Sequence, residues 1–135
     1  MSHAIPLKGL DHVVLLVGDM ERAPASYTRV IACTHDNDIP QYGMRQLRAG
    51  AALIDLVDVS TPEGAWAKPE VPGGRNVAHI ALGVRPADPD TVRTHLAAHQ
   101  VEIIEEGDRF GAEGNTLSFY LRDPDGNQVE LSFPA

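Results

Sequence analysis

The sequence predicts an α+β fold built from two copies of a βαβββ module. Three observations lead there. GLDHVVLLV (residues 9–17) and NVAHIALGV (76–84) are near-copies of one apolar strand with a histidine inside it. Each is followed by a segment of helical periodicity and then by strand patterns that end in turn chemistry. The chain has 135 residues, enough for one domain of two modules of about 60 residues each, with a core that needs no staples.

In chain order, residues 9–17 read as a strand. GDMERA follows, where Asp19 can cap a helix over 20–32 whose Ala23, Tyr27, Val30 and Ile31 share one face. Pro24 sits awkwardly near that start, because it removes a backbone donor, so a late or loose first turn is expected. Residues 34–43 (THDNDIPQYG) are polar and read as a weak strand or loop. MRQLRAG and ALIDLVDV read as two strands joined by a tight AGA turn. These complete module 1 (about 9–59). The linker over 60–75, STPEGAWAKPEVPGGR, is too rich in proline and glycine for a regular element. It is a connector, or a lid or dimer-contact segment that uses Trp66, the sole tryptophan.

Module 2 (about 76–134) opens with the strand NVAHIALGV. PADPDTVRTHLAAHQ reads as a helix capped by Asp88, with Pro89 at its first position and Val92 and Leu96 on one face. VEIIEE reads as a short strand, and NTLSFYLRDPDGNQVELSF as a hairpin turned by DPDGN. GAALIDLV aligns with GNQVELSF, so each half keeps one histidine on its first strand and one carboxylate, Asp55 or Glu130, on its last.

Composition narrows the function. With 43% hydrophobic and 22% charged residues the chain has the make-up of a soluble globular domain. The net charge is −8 and the basic residues are scattered, which argues against nucleic acid and anionic membrane as partners. No apolar run approaches the roughly 20 residues of a membrane span, and no signal-peptide pattern opens the chain. Cys33 is the only cysteine, so no intramolecular disulfide can form; a buried, inert thiol in a cytoplasmic protein is expected.

Side chains alternate across a strand. His12 therefore shares a face with Val14 and Leu16, and His79 with Ala81 and Gly83. Asp55 and Glu130 interrupt equally apolar strands. Buried carboxylates and imidazoles are costly unless paired or bound to a cation. Two of each form a sensible ligand set for one divalent metal: zinc, nickel, cobalt, manganese or iron(II). The repeated placement favours that reading over four unrelated strand residues. The other histidines lack such support: His3 near the terminus, His35 in a polar loop, and His95 and His99 one turn apart on a helix.

LDHVVLLVGDMERAPASYTRVI, LIDLV, VAHIALGV and FYLRDPDGNQVELS resemble the vicinal oxygen chelate superfamily, which includes glyoxalase I, bleomycin-resistance proteins, extradiol dioxygenases, fosfomycin-resistance enzymes and methylmalonyl-CoA epimerase. The resemblance spans nearly the whole chain. It implies a cupped mixed sheet, the glyoxalase/bleomycin resistance/dihydroxybiphenyl dioxygenase-like fold, around one metal, with His12, Asp55, His79 and Glu130 as ligands and a homodimer as the assembly. It also implies a glyoxalase-like lyase or isomerase, acting on a small oxygen-chelating substrate by proton transfer through a metal-stabilised enediolate. Glu130 is the first choice of base and Asp55 the second; desolvation would raise a carboxylate's pKa and suit it to the task. Glyoxalase I has Glu where this chain has the shorter Asp55. Two histidines and one carboxylate are also the iron(II) dioxygenase arrangement, so an extradiol-type dioxygenase stands as one alternative and a metal-free small-molecule binder as another. For gripping a charged substrate, Arg45, Arg48, Arg75, Arg109 and Arg122 are candidates.

Overall fold

The computed structural model describes residues 8–67 and 77–134. His3, Arg75 and the linker from 68 onward lie outside the described residues.

Module 1 runs β1 (His12–Val17), α1 (Arg22–Ala25), β2 (Thr34–Ile39), β3 (Met44–Ala49) and β4 (Ala52–Asp58). Module 2 repeats it: β5 (Ile80–Gly83), α2 (Pro89–Ala98), β6 (Glu105–Gly111), β7 (Gly114–Arg122) and β8 (Gln128–Ser132). Each module forms one four-stranded mixed sheet, in the orders β1-β4-β3-β2 and β5-β8-β7-β6. The first strand of each lies parallel to the last, and the remaining pairs are antiparallel. The expected element order is present in both halves.

The local departures have physical causes. Asp19 accepts from the backbone N–H groups of Glu21 and Arg22, as a cap should. Pro24 falls in the first turn, where its missing N–H is tolerated, and regular α-helix runs only over Arg22–Ala25. It widens into a π-helical turn over Ser26–Val30, where the Ile31 amide reaches back to the Ser26 carbonyl. The polar segment after it is a regular strand, because β2 lies at an exposed sheet edge and is joined to β3 by the Arg45–Asp38 and Arg48–Asp36 ion pairs rather than by apolar packing. In module 2 the strand expected over 101–106 starts only at Glu105, where pairing with β7 begins, and continues to Gly111. Asp88 caps α2 through the Asp90 amide, as the sequence indicates.

One face of each sheet packs on the helices. Leu15, Val17, Tyr27, Leu47, Ile54 and Leu56 of module 1 join Leu96, Phe119, Leu121, Val129 and Phe133 of module 2 in a single core. The modules are tied on this helical side by the DPDGN turn. Buried Asp123 accepts from its own turn at the Asp125 and Asn127 amides and from the Tyr27 hydroxyl at 2.9 Å. Asp125 accepts from the Gly18 amide at 2.8 Å, and Asn127 donates to the Leu16 carbonyl. A turn that closes one hairpin thus also clasps the β1–α1 corner of the other module. Among the described residues no helix is long and apolar enough to cross a membrane.

Candidate metal centre

The opposite face of each sheet carries the repeated polar residues. In β1, Val13, Leu15 and Val17 enter the core, which leaves His12, Val14 and Leu16 on the open face. Val14 stands in register with Asp55 of β4, and Ala81 of β5 in register with Glu130 of β8. Each carboxylate therefore faces the residue two places beyond its histidine, so the two modules place their pairs equivalently.

His79 Nε2 lies 3.0 Å from Glu130 Oε1, and His12 Nε2 lies 4.0 Å from Asp55 Oδ2. Both carboxylates are buried and both rings are partly open to solvent. The second Glu130 oxygen accepts from the buried Ser118 hydroxyl at 2.7 Å. The Gln46 side-chain amide donates to Asp55 Oδ2 at 3.3 Å. Asp55 Oδ1 is buried with no hydrogen-bond partner, the only side-chain atom so placed among the described residues. A desolvated carboxylate oxygen without a donor costs about 1–3 kcal/mol or more, and a bound cation would relieve it. The donor set and this orphaned oxygen fit a divalent metal.

Electrostatics differ between the pairs. The hydrogen bond from His12 Nδ1 to Asp11, 2.7 Å, and the charge of Asp55 raise the His12 pKa. Burial pushes Glu130 upward, as the sequence suggested, but hydrogen bonds from Ser118 and Tyr120 and the neighbouring His79 outweigh it and hold the carboxyl below its usual range. The expected raised pKa is thus reversed: desolvation was legible in the strand pattern, whereas the donors come from β7.

One chain brings the four residues together as two pairs, not as one cluster. Among the described residues no three His, Cys, Asp or Glu side chains converge closely enough to hold a metal ion. The cavity that reaches His79 and Glu130 includes neither His12 nor Asp55. His35 instead meets Asp38 at 3.2 Å, and His95 donates its ring N–H to the Val30 carbonyl while stacking obliquely on His99. Arg45, Arg48 and Arg109 are engaged by Asp38, Asp36 and Glu105, which leaves Arg122 of the described candidates without a partner. Trp66 donates its indole N–H to the Tyr42 carbonyl and packs edge-on against the Tyr42 ring, so it rests at the β2–β3 end of module 1.

Residues around the pairs were missed by the strand pattern. Gln46 stands opposite Asp55 and Tyr120 opposite Glu130. Counting back from the AGA and DPDGN turns gives both registers, so the signal was present in the hairpins.

Fold and site together define a vicinal-oxygen-chelate-type protein. Residues 9–131 match the family model of the Glyoxalase/Bleomycin resistance protein/Dioxygenase superfamily, and the chain belongs to that superfamily. It is 29% identical over 131 residues to the glyoxalase domain-containing protein RDO1 of Mycosarcoma maydis, covering 95% of this chain and 69% of that protein. It is 31% identical over 124 residues to the virulence protein STM3117 of Salmonella typhimurium, covering 91% of this chain and 82% of that protein. Among solved structures, an integron cassette protein from V. cholerae superposes with a TM-score of 0.75 at 27% identity, covering 98% of this chain and all of that one.

Proposed function

We propose that this protein is a metal-dependent lyase or isomerase of the glyoxalase type, whose metal centre is shared between two copies of the chain. His12 and Asp55 of one protomer and His79 and Glu130 of the other would hold one divalent ion. The observation that carries this reading is the equivalent placement of two His–carboxylate pairs, with Asp55 Oδ1 buried and unsatisfied. Because one chain leaves the pairs apart, a second copy is the economical way to complete the set. β1 and β5 are also sheet-edge strands, and unpaired edges favour association.

When bound, the metal would chelate two neighbouring substrate oxygens and stabilise the negative charge that develops as a proton moves. The chain's own residues supply the rest. Ser118 fixes one Glu130 oxygen and leaves the other at the reaction face, where Glu130 takes the substrate proton and returns it to the adjacent carbon. Asp55, held by Gln46, is the second candidate for that role.

One observation favours a second reading. The 4.0 Å separation in the first pair is longer than the 3.0 Å in the second. If Asp55 stays off the metal, two histidines and Glu130 make the facial triad of an iron(II) dioxygenase. Metal analysis of freshly purified protein, followed by a hemithioacetal assay and an oxygen electrode assay with catechols, tests both. Stoichiometric metal with oxygen-independent turnover supports the isomerase; oxygen uptake that requires iron(II) supports the dioxygenase; absence of metal binding overturns both.

A further inference from the structure

We infer that Arg85 receives an anionic group of the substrate at a distance from the oxygens that meet the metal. The substrate would then be a small anion, with a chelating oxygen pair at one end and a carboxylate or similar group at the other. This inference rests on the metal-centre reading above.

A cavity of about 540 Å³ is lined by His79, Glu130 and Arg85 among others. Backbone pairing continues past the end of β5, where the Val84 amide donates to the Ser132 carbonyl. His79, Ala81, Gly83 and Arg85 consequently follow one another on the same face. The two residues between the histidine and the arginine are the smallest available. A Cβ built on Gly83 would meet nothing within 4 Å, so the floor is an open trough. An elongated ligand can lie along it.

Arg85 is available for such a ligand. Arg22, Arg45, Arg48, Arg93 and Arg109 each have a carboxylate or carbonyl partner, whereas Arg85 makes no hydrogen bond or ion pair among the described residues. Glu113 lines the same cavity from the β6–β7 turn but does not engage Arg85. A bound divalent ion offsets the Glu130 charge, leaving cations at both ends of the trough. A guanidinium suits a carboxylate through its paired N–H groups.

The test uses the metal-loaded protein and two probes that share a chelating α-hydroxy acid: glycolate, and 2-hydroxyglutarate with its distal carboxylate. Calorimetry should show 2-hydroxyglutarate binding at least about 10-fold more tightly, the scale of one charge-assisted contact. In Arg85→Met that preference should vanish while glycolate binding stays unchanged, and Arg85→Lys should restore part of it. Because Arg85 is exposed, its replacement should leave thermal stability unaltered. An equal preference in Arg85→Met, or no preference in the wild type while glycolate still binds, overturns the role of Arg85 alone. Failure of the protein to retain metal, seen before any probe is added, overturns the metal-centre reading and this inference with it.

Discussion

Glu130 divides its two carboxylate oxygens between different tasks: Oε1 meets His79 Nε2 at 3.0 Å, while Oε2 accepts the Ser118 hydroxyl at 2.7 Å. Asp55 differs: Gln46 and His12 both lie nearest its Oδ2, and Oδ1 is buried without a donor. In each module a neighbouring strand thus holds one carboxylate oxygen, through Ser118 or Gln46.

The first prediction concerns Glu130 itself. In Glu130→Gln the amide oxygen can still coordinate, so part of the metal should remain, but the amide cannot take a proton at neutral pH. Turnover should fall by about 10²–10⁴-fold, with substrate affinity much less affected. Asp55→Asn should be milder. Metal content and turnover measured together on both variants check this; full activity in Glu130→Gln removes that residue as the base.

Ser118→Ala should release the Glu130 carboxylate from its fixed orientation. Partners that orient metal ligands typically contribute about 10–100-fold to metal affinity, and a loss of that size is expected here. Gln46→Leu should act similarly through Asp55. Thermal stability of the metal-free variants separates this effect from simple unfolding: a matching loss of stability with unchanged metal affinity would make Ser118 a packing residue only.

The clasp between the modules should be expensive to remove. Asp123→Ala leaves the Tyr27 hydroxyl and the Asn127 side chain without their acceptor in a buried setting. A loss of about 2–4 kcal/mol in urea unfolding is expected, and about 1–2 kcal/mol for Tyr27→Phe. If the two effects add fully in the double variant, the Tyr27–Asp123 contact is not the coupling element.

Cys33 is buried, and burial pushes its thiol up to about 11. At neutral pH it stays protonated, so it should resist alkylation in the folded protein and react promptly in denaturant. Rapid modification under native conditions would contradict the burial.

The repeat made most of this fold readable. His12 opens β1 and His79 stands one residue before β5, and the AGA and DPDGN turns fix the registers that set Asp55 opposite Gln46 and Glu130 opposite Tyr120. Local pattern failed where long-range contacts decide. Pro24 signalled an irregular helix, but whether the chain would break or widen there depended on packing Tyr27 into the core. The polar β2 exists because β3 offers it an edge. The Glu130 pKa follows donors from β7, which no reading of β8 alone contains. The separation of the two pairs depends on how whole modules dock, through Asp123, Asp125 and Asn127, and strand periodicity carries no information about that.

The shared metal centre is tested most directly by complementation. One double variant, His12→Ala with Asp55→Ala, lacks the first pair; another, His79→Ala with Glu130→Ala, lacks the second. Neither should bind metal alone. Refolded together in equal amounts, they form mixed dimers in which one of the two sites regains all four ligands, so bound metal should recover to about a quarter of the wild-type content. A mixture that binds no more metal than its separate parents would contradict a centre built from two chains.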